Sequence, residues 1–124
     1  MNAGDTFFLV LPFDDDHLWV VISDPSLDAQ NVVAVNFTSW RADKDQACIV
    51  QPGVHPFITS KSCIAYRDAR VRPDQYWNTR VESGGAKQQN AVTAALLARI
   101  RQGAKVSKFI ELEKLKILED QGVI

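Results

Sequence analysis

Chemistry-bearing residues are scarce in this chain of 124 residues. It has two cysteines, Cys48 and Cys63, and two histidines, His17 and His55, all far apart in sequence. No spacing of these residues resembles a metal-ligand set, so no metal and no cofactor is expected. No glycine-rich phosphate loop is present. Ser23, in the stretch ISDP, lacks the G-x-S-x-G context of a nucleophile elbow and reads as a turn residue beside Asp24. No apolar run approaches the roughly 18 residues of a membrane span. The start, MNAGDTFFLVLPFDDD, has an aspartate before its apolar run and no basic leader region. It is therefore read as neither a signal peptide nor an anchor, and a cytoplasmic, membrane-free protein is expected. Both cysteines lie within apolar runs, ACIV and SCIAY, which suits buried free thiols in a reducing compartment.

What is present is β-prone sequence followed by helical sequence. At 46% hydrophobic, the chain can build one core without staples. Strand signals fall at Thr6–Leu11, His17–Ser23, Val32–Thr38, Ala47–Gln51 and Ser62–Tyr66, with Ala69–Arg72 as an extension. The punctuation between them is turn chemistry: Pro12 with Asp14–Asp16, then Asp24-Pro25, then Pro52-Gly53. Val54–Thr59 contains Pro56 and reads as an edge or irregular segment. No helical pattern long enough for a βαβ crossover separates the strands.

These signals predict a mainly β (α+β) fold: a small SH3-like barrel of five to seven mostly antiparallel strands followed by two C-terminal helices. The barrel is expected over residues 1–82. A helical extension over 86–124 would pack on the barrel or on a partner, within one structural domain. Ser83-Gly84-Gly85 is the break between them. Lys87–Gln102 carries Val92, Ala95, Leu96, Arg99 and Ile100 on one stripe, with Gly103 as its cap. A second helix is expected over Ser107–Asp120, with Val106, Phe109, Leu112, Leu115 and Leu118 on its apolar face. The pairs Glu111–Lys114 and Glu113–Lys116 would support it.

The net charge of −1 hides a split. Residues 1–60 carry two basic and eight acidic side chains, residues 61–105 nine and three, and residues 106–124 three and four. A basic middle on a near-neutral chain suits a polyanion bound to one face, although a solvated surface also accounts for it.

His17 opens a strand directly after three aspartates, whose charge favours an imidazolium. It suits a general acid or a phosphate clamp, and otherwise is a half-exposed strand-start histidine. His55 also sits at a turn–strand junction. Were both imidazoles to face one cleft, they would supply the base and acid for attack by a ribose 2′-hydroxyl. Thr38, Ser39, Thr59, Ser60 and Ser62 are strand-end hydroxyls that either bond phosphate oxygens or cap turns. Arg70 and Arg72 fall on one side of an extended segment and suit forked phosphate contacts. Trp40, Tyr76 and Trp77 are candidates for stacking on unpaired bases, whereas Trp19 reads as core.

Taken together, Gly4-Asp5, Val20-Val21-Ile22-Ser23 and Thr38-Ser39 resemble the MazF/PemK-like toxin family, whose strands show a Gly-Asp start, a VVVlS-type second strand and a Thr/Ser pair closing the third. The resemblance spans about residues 4–72 and implies an SH3-like barrel, often a homodimer. It further implies a toxin of a toxin–antitoxin pair, with an antitoxin-like protein partner. The implied activity is a metal-independent endoribonuclease that cuts single-stranded RNA by 2′-hydroxyl attack. Thr38 takes the place of the family's strand-three hydroxyl. His17 stands where the family has an arginine, keeping a cation and losing the bidentate fork. On this reading His17, Thr38 and His55 are the catalytic candidates, and Ser39, Trp40, Ser60, Arg70 and Arg72 contact the substrate. A departure from the family pattern this large also suits a non-catalytic barrel that binds a protein partner or nucleic acid.

Overall fold

The computed structural model describes residues 1–10 and 17–124, so the Pro12–Asp16 turn signal, and any effect of Asp14–Asp16 on His17, lie outside the described residues. Six strands, β1 (Thr6–Leu9), β2 (Leu18–Val21), β3 (Val32–Ser39), β4 (Ile49–Val50), β5 (Ser62–Arg72) and β6 (Ala86–Gln89), form one antiparallel sheet in the order β4-β5-β3-β2-β1-β6. Three helices complete the fold: α1 (Asp74–Glu82), α2 (Ala94–Val106) and α3 (Leu112–Asp120). The architecture is the expected α+β, mostly β domain, with a barrel-like sheet followed by C-terminal helices.

The central strands read as nearly unbroken apolar runs because both of their faces are covered. Leu18, Val20 and Ile22 of β2 and its exit, with Val33, Val35 and Phe37 of β3, join one core. Their alternate neighbours Trp19, Val21, Val32 and Ala34 join a second core with Phe7 and Trp77. Helix α2 seals the first core through Leu96, Ile100 and Ala104, which recur every four residues, and α3 adds Leu118. Helix α1 seals the second through Trp77, whose ring lies 5.2 Å from that of Phe7.

Two elements differ from the expectations. Helix α1 occupies a stretch that carried no helical stripe, because only Trp77 of its nine residues is buried. The segment 86–89 is a strand rather than the start of a helix: it pairs with the free edge of β1, from Thr6↔Gln89 to Leu9↔Ala86. The 86–124 segment therefore contributes a strand to the sheet. Helix α2 begins only at Ala94, where the Thr93 hydroxyl accepts from the Leu96 N–H at 3.1 Å.

The anticipated apolar face of the last helix is split. Leu118 is buried and Leu115 packs at the core edge, but Val106 is 67% and Leu112 81% exposed. Glu111–Lys114 forms as an ion pair at 2.8 Å, whereas Lys116 pairs with Asp120 instead of Glu113. Gly103 is not a cap but an interior residue of α2, placed where the helix crosses Tyr66. Gly4 has φ +87°, and its N–H and C=O bond Val21 and Val92, so it ties β2 to the approach of α2. Among the described residues no helix is long and apolar enough to cross a membrane.

Candidate functional site

The site is built where β5 departs from regular pairing. Ala34 pairs with Arg70 and Asn36 with Ala65, so the single residue Val35 of β3 faces the four residues Tyr66–Ala69 of β5. Bulges of this kind re-aim side chains. Here the bulge is fastened from α3 by Lys114, whose Nζ donates to the Ala69 carbonyl, and from within by Tyr66, whose hydroxyl donates to the Ile100 carbonyl at 2.6 Å. Arg67 and Asp68 stand at the rim of a cavity of about 280 Å³ whose lining also includes His17, Asn36, Thr38 and Phe109.

His17 and Thr38 line the same cavity. Continuing the Trp19↔Asn36 register two residues sets His17 opposite Thr38. The His17 Nδ1 lies 3.1 Å from the Phe37 carbonyl. A carbonyl only accepts, so Nδ1 carries the hydrogen and Nε2 is left as the basic nitrogen. His17 and Thr38 also line a second hollow of about 430 Å³, where the hydroxyls of Ser39, Thr59, Ser60 and Ser62 gather beside Phe8 and Phe57.

A third residue shares this wall. Lys44 lines both cavities, and its Nζ donates to the Thr38 hydroxyl and the Ser39 carbonyl, each at 2.8 Å. Both partners are neutral, and no carboxylate pairs with Lys44 among the described residues. Among the described residues its charge is thus uncompensated by an ion pair, and one of its three N–H donors is uncommitted. Sequence reasoning missed Lys44, because in the polar stretch Trp40–Gln46 a lysine reads as solvated surface. The neighbouring carboxylates are engaged elsewhere. Asp43 pairs with Arg41 at 3.2 Å, and Asp45 accepts from the Ala47 N–H and the Ser107 hydroxyl.

His55 does not join His17. It is buried, with Nδ1 accepting from the Phe57 N–H at 3.1 Å and Nε2 facing the Asn90 carbonyl at 2.7 Å and the Thr6 hydroxyl at 3.3 Å. Both ring nitrogens are committed, and His55 lines neither cavity. Its place is that of a loop anchor, which corrects the expectation of a second acid–base group.

Arg70 and Arg72 are also drawn elsewhere. Arg70 lies over the Trp19 ring at 4.9 Å, and Arg72 donates to the Val71 carbonyl and lies near Tyr76. Trp40 is covered by Lys61 at 3.9 Å from its ring centre and donates its N–H to Gln46. None of the three lines either cavity. Trp77 is fully buried and unavailable for stacking, while Trp19 is core as expected.

Burial pushes the thiols of Cys48 and Cys63 above their ordinary value. Cys63, on the wall of the first cavity, therefore stays a thiol at neutral pH rather than a nucleophilic thiolate. Among the described residues no three His, Cys, Asp or Glu side chains are grouped to hold a metal ion. No protein-family model matches the chain, and no curated protein matches it.

Proposed function

We propose that the wall formed by His17, Thr38 and Lys44 binds a phosphodiester of single-stranded RNA and cleaves it by attack of the ribose 2′-hydroxyl. The supporting observation is the Lys44 ammonium, held between two neutral oxygens on the common wall of two cavities, with a histidine beside it. A phosphate placed there meets the free N–H of Lys44 and the Thr38 O–H, which remains available because Lys44 uses only that oxygen's lone pair.

His17 Nε2 accepts the 2′-hydroxyl proton, and the 2′-oxygen attacks phosphorus. Lys44 and Thr38 steady the charge gathering on the phosphoryl oxygens, and Lys44 donates to the departing 5′-oxygen. The products are a 2′,3′-cyclic phosphate and a 5′-hydroxyl. In the resemblance to MazF/PemK-like toxins His17 replaces an arginine, so its work as a base departs from that pattern; on the same resemblance the chain would act as an RNA-cutting toxin with an antitoxin-like partner.

The test is multiple-turnover cleavage of a long unstructured RNA in chelator, with end-group analysis. Cyclic-phosphate ends, lost in His17→Ala and Lys44→Ala, are the expected result. Wild-type protein that leaves the RNA intact overturns the nuclease reading. The uncommitted charge of Lys44 also favours a second reading, a non-catalytic RNA-binding module. Affinity that falls steeply with salt, without turnover, is its signature.

A further inference from the structure

Phe57 is 52% exposed, although Ile58 beside it is 6% exposed and His55, two residues back, 3%. The loop around it is tied down. The Gly53 N–H donates to the Ile58 carbonyl and the Ile58 N–H to the His55 carbonyl, each at 2.9 Å. The Phe57 N–H donates to Nδ1 of His55 at 3.1 Å, and the Phe57 ring meets that of Phe8 edge to face, with centres 5.0 Å apart. A large apolar ring is thus held half in solvent between two buried anchors, and a ring so placed forgoes the gain of burial. It lines the hollow of about 430 Å³, a size that takes a small organic ligand.

Around the ring the hollow offers hydroxyls. Ser62 spends its own on the Ser60 carbonyl at 2.9 Å, but those of Ser39, Thr59 and Ser60 have no protein partner among the described residues. The ionisable groups of this lining among the described residues, Lys44 and His17, stand on the wall already given to the phosphate. Beyond that wall lie an aromatic ring and neutral groups that both donate and accept. Such a lining suits a flat, neutral, polar-edged ring attached to a phosphate. We propose that the hollow seats the base of a nucleotide whose phosphate lies at Lys44 and Thr38, with Phe57 as its stacking residue. The inference rests on the RNA reading for that phosphate, though not on cleavage. Stacking needs only a π-face, and a hydroxyl meets a carbonyl edge as readily as an amino edge. The hollow should therefore sort bases by ring size and not by identity. Purines bind more tightly than pyrimidines, with little difference within either class.

The test titrates the 3′-monophosphates of adenosine, guanosine, cytidine and uridine into the full chain, followed by NMR, with ribose 5-phosphate as the ligand that has no base. The adenosine nucleotide should bind about tenfold more tightly than ribose 5-phosphate. Phe57→Ala, at a half-exposed position where folding is not at stake, should remove that advantage and leave ribose 5-phosphate unchanged. Phe57→Trp should keep it. Lys44→Ala should weaken all five ligands. Nucleotides that bind no better than ribose 5-phosphate, an advantage that survives Phe57→Ala, or a tenfold separation of adenine from guanine overturns the proposal. An advantage that depends on Phe57 in a protein that leaves RNA intact supports the base site while the nuclease reading falls. RNA cleaved by a protein that shows no such advantage does the reverse.

Discussion

A β-carbon on Gly103 would lie 2.2 Å from the Tyr66 hydroxyl and 2.9 Å from Cβ of Cys48. Helix α2 crosses β5 at this point, and the absence of a side chain lets the Tyr66 hydroxyl reach the Ile100 carbonyl at 2.6 Å. Gly103→Ala should therefore destabilise the fold, although alanine is favoured by about 1 kcal/mol in a helix interior. Overpacking of this kind costs about 1–3 kcal/mol, and the 2.2 Å approach puts this site at the upper end, so the expected net loss is about 2 kcal/mol in a denaturant titration. Because the hydroxyl is the nearest obstacle, Tyr66→Phe in the same chain should reduce the penalty of the alanine. A penalty unchanged in the double variant would mean that the crossing relaxes in some other way.

Asn36 should show the opposite behaviour. Its unpartnered oxygen carries a desolvation cost with no bond to offset it, in the range of about 1–3 kcal/mol. Asn36→Val places a β-branched apolar residue in a buried strand position, and is expected to raise stability by about 1 kcal/mol. Thermal unfolding of the variant beside wild type checks it. A variant less stable than wild type would show that the amide is satisfied in solution.

The alkaline limb of the stability curve has an identifiable source. Burial raises the thiols of Cys48 and Cys63 above their ordinary 9.0, and it raises the Tyr66 hydroxyl further still. In the unfolded chain these groups release their protons at ordinary pH values, whereas in the folded chain they hold them. Above about pH 9 the unfolded state therefore binds fewer protons, and stability falls as pH rises. Between pH 8 and pH 10 the two thiols should therefore make stability fall steadily with pH. Replacing both cysteines by alanine should flatten that slope whatever it does to stability at pH 7. Urea midpoints across the range provide the measurement.

Much of the frame was legible because the apolar runs at Leu18–Val21 and Val32–Phe37 admit little except buried strands, and Pro73 follows directly on the end of β5. His17 and Thr38 fall at the start of β2 and the end of β3, and the structure sets both on the same cavity walls. Helix α1 and strand β6 were not, because Trp77 alone faces a core and Ala-Lys-Gln-Gln owes its strand state to the open edge of β1. Lys44 was not legible either, because a lysine in the polar stretch Trp40–Gln46 reads as solvated surface until the fold brings it to Thr38 and Ser39.

The two histidines, equivalent in sequence, should separate in experiment. His17 makes one hydrogen bond to a backbone carbonyl and lines two cavities. His17→Ala should leave stability within about 0.5 kcal/mol of wild type and abolish RNA cleavage. His55 is buried and satisfies the Phe57 N–H and the Asn90 carbonyl together, so His55→Ala strands both groups and should cost about 2–3 kcal/mol. Its cleavage rate per folded molecule, measured well below its melting temperature, should stay near that of wild type. Loss of that rate in a fully folded His55 variant would return His55 to the catalytic set and require the 53–58 loop to open during turnover.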